Sequence, residues 1–298
     1  MRVAVTGASG LIGSAVVDAL RSRGDEVLTL VRREPSGRAE VRWDPAAGTI
    51  DAARLDGVEA AIHLAGAGVA DKRWTAAYKR TVLESRVSGT TLLAQTLAGL
   101  QAKPRVLLSG SAVGYYGDTG DRVEDESGPR GGGFLVDVVE RWEASTAAAE
   151  QAGIRVCHLR TGIVLTAKGG ALKKQLPLFR AGLGGRLGSG KQWQSWISLD
   201  DEVGAILFLL GAEQVSGPVN LVAPAPVRQT DFTKALGRAL HRPAVAAVPP
   251  FALRLALPGF ADEGLLIGQR LQPKALQDAG YVFRQPTIDA GLAAALQD

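Results

Sequence analysis

The chain has 298 residues, 46% of them hydrophobic, which is enough for one large core or for two packed units. Its 34 Lys and Arg residues nearly balance its 30 Asp and Glu residues, and the basic residues are too scattered to form a nucleic-acid-binding stripe. Because Cys157 is the single cysteine, an intramolecular disulfide is excluded. With only three histidines in addition, the chain has few residues that could form a zinc site. The longest apolar stretch, residues 243–261, is broken by prolines and Arg254. We therefore expect a cytoplasmic protein without a metal, a nucleic-acid partner or a membrane span.

Short apolar strands and longer helical patterns alternate through the first half of the chain. In order, they are "VAV", "LIGSAVVDALRSRG", "EVLTLV", "EAAIHLA", "YKRTVLESRVSGTTLLAQTLAGL", "PRVLLSG", "FLVDVVERWEASTAAAEQAG" and "RVCHLR". This order predicts an α/β fold with a Rossmann-type, doubly wound parallel sheet over residues 1–165.

After residue 165 the sequence becomes rich in glycine and shows little regular hydrophobic periodicity. We expect residues 166–298 to form a smaller α+β lobe that faces the substrate, with a small C-terminal domain at about 249–296. Residues 198–223 read as a return to the sheet, so the two lobes are predicted to be interleaved.

The stretch "RVAVTGASGLIG" combines a strand, glycines at the TGxxGxxG spacing and the start of an amphipathic helix. Such glycines let the backbone turn tightly and approach a pyrophosphate that rests on the helix N-terminus. The alternative is a glycine turn used only for helix-to-sheet packing. The predicted cofactor-binding residues here are Thr6, Gly7, Gly10, Leu11, Ile12 and Gly13.

The second strand ends in Arg32 and Arg33, where an NAD site would place an acid for the ribose hydroxyls. Because a guanidinium suits a 2′-phosphate, we favour NADP(H) over NAD(H), the alternative being two solvated arginines. The turn "HLAG" at 63–66 predicts that Leu64, Ala65 and Gly66 pass close to a cofactor ribose. His63 reads as a strand-end residue and not as a catalyst.

These motifs, with "SRVSGTTLL" and "SGSAVGYYG" in the same order, resemble those of the extended short-chain dehydrogenase/reductases. The further stretches "AGAGVADKRWT", "RTGIVL", "GLGGRLGSGKQWQSWISLDD" and "GQRLQPKALQDAGYVF" look like the atypical epimerase-family branch. That branch is described as nucleoside-diphosphate-sugar epimerase-like and has its own small C-terminal domain. The resemblance covers essentially the whole chain.

Ordinary members of that superfamily use a YxxxK pair, which this sequence lacks. The residues four places after its four tyrosines are Val82, Thr119, Gly120 and Gln285. If Glu143 is the acid that usually follows the lysine by four places, Val139 fills the lysine position and Leu135 the tyrosine position. The atypical branch also lacks the pair, often with a cysteine in the lysine position, so Val139 departs even from that pattern.

Three polar residues keep a role through the resemblance. Ser111 aligns with the serine that faces the nicotinamide and the substrate, and Tyr116 with a tyrosine that contacts substrate, which makes these two the predicted catalytic residues. Arg86 stands in the asparagine position and is expected to hold an anionic group or restrain the cofactor. We expect Tyr115 to be a packing residue.

The candidate substrate-binding residues of the second lobe are Arg186, Gln192, Trp193 and Trp196, since cations, an amide and indoles suit an anionic or ring-bearing ligand. The alternative is a glycine-rich connection with one tryptophan in the core. Asp200 and Asp201 are expected to cap the helix that follows them.

Two functions follow from these features. The first is an NADP(H)-dependent oxidoreductase or epimerase-like enzyme with a small-molecule substrate, a carbonyl compound or a sugar nucleotide. The second is a non-catalytic protein that binds or senses NADP(H), which the missing YxxxK pair favours. The sequence leaves the substrate, the reaction direction and the oligomeric state open.

Overall fold

Strands and helices alternate along the chain in the computed structural model, which describes residues 1–297. The strands are β1 (Arg2–Thr6), β2 (Glu26–Val31), β3 (Glu40–Asp44), β4 (Thr49–Ile50), β5 (Ala60–His63), β6 (Val106–Ala112), β7 (Val123–Glu124), β8 (Arg155–Thr161), β9 (Ile163–Leu165), β10 (Gly185–Leu187), β11 (Trp193–Gln194), β12 (Trp196–Ser198), β13 (Gly217–Leu221), β14 (Val227–Arg228), β15 (Ala246–Val248) and β16 (Arg270–Leu271). The helices are α1 (Leu11–Ser22), α2 (Ala76–Gly99), α3 (Phe134–Ala144), α4 (Ala147–Gln151), α5 (Gly170–Arg180), α6 (Leu199–Gly211), α7 (Gln229–Ala239), α8 (Pro250–Ala256), α9 (Lys274–Asp278) and α10 (Ile288–Gln297). None of these helices has the length and hydropathy that crossing a bilayer requires.

The main sheet has eight strands in the order β13-β8-β6-β5-β1-β2-β3-β4. β1 pairs in parallel with both β2 and β5, and the short edge strand β4 runs antiparallel to β3. The strand order reverses between β1 and β5, which is the switch point where open α/β sheets bind ligands. The predicted Rossmann-type doubly wound sheet is confirmed.

Two compact units alternate along the chain. The first comprises residues 1–111, 138–159 and 203–218, and the second comprises residues 112–137, 160–202 and 219–298.

The core of the first unit lies where strands of the sheet pack on α2 and α4. Apolar side chains recur on the buried face of α2, among them Leu93 and Leu97, which are fully buried with Trp43 and Leu107. Burying one such side chain contributes roughly 1.5–3 kcal/mol, so this face holds the sheet edge in place.

The core of the second unit is built around Trp196, which has no exposed surface. It packs with residues of α5, α7 and α10, including Leu172, Phe232 and Leu292. A β carbon on Gly291 would lie 2.4 Å from the Trp196 ring, so α10 needs glycine there to approach the indole.

Asp201 joins the start of α6 to the C-terminal segment within the second unit. Its carboxylate accepts the backbone N–H groups of Arg284 and Gln285, each at 2.8 Å, and the Tyr281 hydroxyl at 3.1 Å. The expectation that Asp200 and Asp201 cap α6 is wrong in detail, because the Ser198 hydroxyl accepts the Asp201 N–H at 3.1 Å and provides the cap. Because the Ser198 hydroxyl caps α6, the Asp201 carboxylate is available to bind the backbone N–H groups of residues 284 and 285.

Candidate functional site

The glycine turn after β1 has no room for a side chain at Gly7 or Gly13. Gly7 has φ +69°, and a β carbon there would lie 2.6 Å from the carbonyl carbon of Leu64. A β carbon on Gly13 would lie 2.1 Å from the Gly7 oxygen. The turn is therefore as tight at these two glycines as the sequence spacing predicts.

The N-terminus of α1 opens onto this turn without a side-chain cap. Gly10 is the N-cap residue, and its N–H donates to the Gly7 oxygen at 2.9 Å. The amides of Leu11, Ile12 and Gly13 begin the helix, where backbone N–H groups have no intrahelical acceptor and the helix dipole is positive. A backbone-lined turn beside an uncapped helix start fits the pyrophosphate of a dinucleotide.

Thr6 fastens the end of β1 to the turn that follows β5. Its hydroxyl accepts the N–H groups of Leu64 at 3.1 Å and Ala65 at 3.3 Å, and lies 2.7 Å from His63 Nδ1. Because Oγ1 already accepts twice, its proton points to Nδ1, which fixes the neutral imidazole with hydrogen on Nε2. Burial lowers the pKa of His63 to about 4, so this histidine is structural.

The two arginines after β2 differ in their contacts. Both Nη atoms of Arg33 contact the carboxylate of Glu40, with Nη1 at 2.8 Å from Oε2, and this contact lowers the pKa of Glu40 to about 2. Arg32 is exposed and forms no ion pair with any residue in the range 1–297. Of the two arginines, Arg32 is the one whose guanidinium group is available to bind a phosphate.

Arg86 is anchored beside the turn at 64–66. Its Nη1 donates to the carbonyl oxygens of Ala67 at 2.8 Å and Val82 at 3.0 Å, and its guanidinium lies 4.9 Å from the centre of the Trp142 ring. A β carbon on Gly66 would lie 3.4 Å from Arg86 Cγ. Burial lowers the pKa of Arg86 to about 10, which leaves it charged at neutral pH.

Ser111, near the C-terminal end of β6, contacts a carboxylate of α3. The Ser111 hydroxyl donates to Glu143 Oε1 at 2.6 Å, and Ser111 is 5% exposed. Val139 is buried and Leu135 half-buried, so neither the lysine nor the tyrosine position of α3 offers an ionisable group. The sequence marked Glu143 only as a guide to the helix alignment; its contact with Ser111 was missed because 32 residues separate the two.

The structure reverses the expected accessibility of the two tyrosines. Tyr116 is 2% exposed; its hydroxyl donates to Asn220 Oδ1 at 2.8 Å and accepts from Arg160 Nη1 at 2.9 Å. Burial raises the pKa of Tyr116 to about 12. Tyr115 is half-buried, with the Arg160 guanidinium 3.6 Å from its ring centre. The expectation of Tyr116 as the substrate contact is therefore corrected: it is a core residue, and Tyr115 is the more accessible ring.

Trp193 lies among charged side chains of the second unit. The guanidinium carbons of Arg228 and Arg270 lie 4.3 Å and 4.2 Å from the centre of its ring, and its Nε1 donates to Asp121 Oδ1 at 2.9 Å. Its indole already has cation partners, so a ligand here would meet the arginines.

The other three predicted substrate residues occupy different settings. Trp196 is fully buried and its Nε1 donates to the Ala225 oxygen at 3.0 Å. It is therefore a core residue and not the substrate contact that the sequence predicts. Gln192 donates to the backbone oxygens of Leu187 and Leu265 and holds its own loop. Arg186 is exposed, with Nη1 at 3.1 Å from the Ser189 oxygen.

Two family models match the chain. Residues 3–221 match the NAD dependent epimerase/dehydratase family. This chain belongs to that family. Residues 248–295 match a domain of unknown function, DUF1731. The predicted epimerase-family resemblance is confirmed, and the C-terminal segment has a family match of its own.

Relatives of this epimerase-family chain span nearly its full length. The epimerase family protein Mb2239 of Mycobacterium bovis is 48% identical over 290 residues, covering 97% of this chain and 96% of that protein. The epimerase family protein SAR0825 of Staphylococcus aureus is 35% identical over 293 residues, covering 97% and 96%.

Two solved structures extend the comparison. The human epimerase family protein SDR39U1 (isoform 2), solved with NADPH, superposes with a TM-score of 0.92 at 32% identity and covers 100% of both chains. The nucleoside-diphosphate sugar epimerase of Corynebacterium glutamicum gives a TM-score of 0.80 at 36% identity, covering 99% of this chain and 58% of that one.

Proposed function

We propose that this chain is an NADP(H)-dependent oxidoreductase or epimerase-like enzyme of the cytoplasm that works without a YxxxK pair. The observation that carries the proposal is the glycine turn, which excludes a side chain at Gly7 and Gly13 and leads into the uncapped start of α1. The NADPH in the human relative's structure supports the same cofactor here. When bound, NADP(H) supplies the redox chemistry.

The cofactor would be held by groups that the first unit brings to one end of its sheet. Amides of the glycine turn and of α1 would meet the pyrophosphate, and the Thr6-fastened turn at Leu64–Gly66 would pass beside a ribose. Arg32 would meet the 2′-phosphate, since Arg33 is engaged by Glu40. In this proposal residues 1–165 carry the cofactor and residues 166–298 face the substrate.

Ser111 would orient the substrate oxygen from the carboxyl end of β6. The name of the C. glutamicum structure favours a sugar nucleotide as one candidate substrate, beside simple carbonyl compounds. A second candidate function, a non-catalytic NADP(H)-binding protein, is favoured by the buried Val139 in the lysine position.

Titration and turnover test the proposal. NADPH is expected to raise the melting temperature and to bind more tightly than NADH, because only NADPH carries the phosphate that Arg32 would meet. Equal affinities for the two would contradict the role of Arg32. Mass spectrometry of copurifying small molecules would give the dinucleotide and the substrate class.

A carbonyl panel separates the two functions. Only the enzyme oxidises NADPH in the presence of a carbonyl compound, and Ser111→Ala should slow that reaction while leaving NADPH affinity unchanged. NADPH binding with no turnover on the whole panel would favour the binding protein.

A further inference from the structure

The contact between Ser111 and Glu143 has the geometry of a proton path. At 2.6 Å, the Oγ–Oε1 distance lies in the range of a hydroxyl that donates to an ionised carboxylate. Ser111 is 5% exposed, and Glu143 as a whole residue is half-buried. The pair therefore links the carboxyl end of β6 to a carboxylate of α3.

We propose that Glu143 supplies and removes the proton of the reaction through the Ser111 hydroxyl, in place of the absent tyrosine and lysine. This inference rests on the proposed function. In this proposal Ser111 is the catalytic residue that touches the substrate oxygen. Glu143 positions the Ser111 hydroxyl and returns or removes its proton.

Other polar groups of the site are unsuited to this role. Tyr116 is buried with its hydroxyl engaged by Arg160 and Asn220. His63 is fully buried and its Nδ1 is bound to Thr6. Arg86 is a cation held by two backbone carbonyls, so it has no lone pair to accept a proton.

The proton balance is simple in both directions. When NADPH reduces a carbonyl group, the substrate oxygen takes the proton of Ser111 Oγ, and Oγ takes the proton of the Glu143 carboxyl group. A proton from the bulk solution then restores the carboxyl group, so that the reduction consumes one proton in all. In the oxidation of an alcohol by NADP⁺, the substrate O–H proton passes to Oγ while the Oγ proton passes to the Glu143 carboxylate.

Titratable groups near Glu143 include residues of α3, α2 and β8, and Glu150 of α4, whose Oε1 lies 3.6 Å from His158 Nε2. Glu140 and Arg141 are on α3 itself, and Arg86 of α2 reaches Trp142. His158 of β8 lies 2.9 Å from Thr146 Oγ1, which donates to the Glu143 backbone oxygen. Any pH profile must therefore be assigned to Glu143 by variants.

Kinetics of the full-length protein with NADPH and 9,10-phenanthrenequinone as the carbonyl probe give the first test. Glu143→Gln and Ser111→Ala should each slow turnover about 10²- to 10⁴-fold, the usual contribution of a general acid or base. Because the two groups act in series, the double variant should be no slower than the slower single one.

The pH profile distinguishes proton transfer from a merely structural contact. In the reductive direction the wild-type rate should fall as pH rises and Glu143 loses its proton. Glu143→Asp should restore part of the rate and the same limb, whereas Glu143→Gln should lack that limb. The exposed Glu140→Gln variant on the same helix is the matched control and should keep the wild-type profile.

Carbon-13 NMR of glutamate carboxyl groups gives a readout independent of turnover. The Glu143 resonance, identified by its loss in Glu143→Gln, should titrate at higher pH in Ser111→Ala than in wild type, because the hydroxyl stabilises the charged carboxylate. Ser111→Thr should restore the wild-type midpoint. An unchanged midpoint in Ser111→Ala would overturn the pairing.

The outcomes separate this inference from the function on which it rests. Wild-type turnover that survives in Glu143→Gln, with an unchanged pH profile, overturns the relay and leaves the enzyme intact. Absence of NADPH binding overturns the proposed function and the relay with it. NADPH binding without wild-type turnover also removes the relay and favours the binding protein.

Discussion

Glu202 is a buried carboxyl group whose proton should make the stability of the protein depend on pH. It lies in the first turn of α6 with no exposed surface. Its Oε1 accepts the Thr161 hydroxyl at 2.8 Å, and Oε2 has no hydrogen-bond partner among residues 1–297. Burial disfavours the charged form and raises the pKa of Glu202 to about 8.

The size of the effect follows from that pKa. In the unfolded chain the carboxyl group would titrate near 4.5, so between pH 4.5 and pH 8 the folded state holds a proton that the unfolded state has released. The free energy of unfolding therefore falls as pH rises, by about 1.4 kcal/mol per pH unit. Over the whole window the loss reaches about 5 kcal/mol, and it stops above pH 8.

Glu202→Gln removes this proton while keeping the shape and the oxygen that accepts from Thr161. Urea unfolding of both proteins should be measured at pH 5, 6, 7 and 8. The free energy of unfolding of the variant, relative to that of wild type, should rise by about 1.4 kcal/mol with each pH unit. Groups common to both proteins cancel in this difference. The exposed Glu140→Gln variant should run parallel to wild type. A constant difference between Glu202→Gln and wild type across these pH values would refute the reasoning.

Three further predictions concern the first unit. Arg32→Ala should weaken NADPH binding about 10- to 100-fold in a fluorescence titration while sparing NADH, since one hydrogen bond to a charged group contributes roughly 1.5–3 kcal/mol, and Arg33→Ala should have the smaller effect. Gly13→Ala should lower the melting temperature and abolish NADPH binding, because the new β carbon would lie 2.1 Å from the Gly7 oxygen. The control Gly99→Ala, whose β carbon would have no neighbouring atom within 4 Å, should melt within a few degrees of wild type. His63, whose folded pKa of about 4 lies below its ordinary 6.5, should cost about 3 kcal/mol of stability as pH falls between those values, and His63→Asn should remove that loss in acid unfolding.

Local sequence rules predicted the sheet and the glycine turn well. A strand, a glycine triplet and a helix lie within the first 22 residues, so their geometry depends on neighbours in sequence. The parallel pairing of the main strands also follows from the alternation of strands and helices. These features are short-range or periodic.

Side-chain burial in the second unit could not be predicted in the same way. Tyr115 and Tyr116 are equivalent by composition, and which ring is buried depends on Asn220, 104 residues away, and on Arg160. Trp196 looked like a ligand contact in a glycine-rich stretch, but Gly291 leaves space for its indole inside the core. Contacts at such separations leave no local pattern.

The two family matches meet inside one compact unit. β7, from the first match, pairs in parallel with β16, from the second, and Asp201 holds backbone amides of residues 284 and 285. A chain ending before residue 248 would leave β7 without its partner strand and the buried Asp201 carboxylate without its donors at residues 281, 284 and 285. The segment of unknown function is thus part of the frame of the second unit, and the boundary between the two matches is not a place where the protein can be divided.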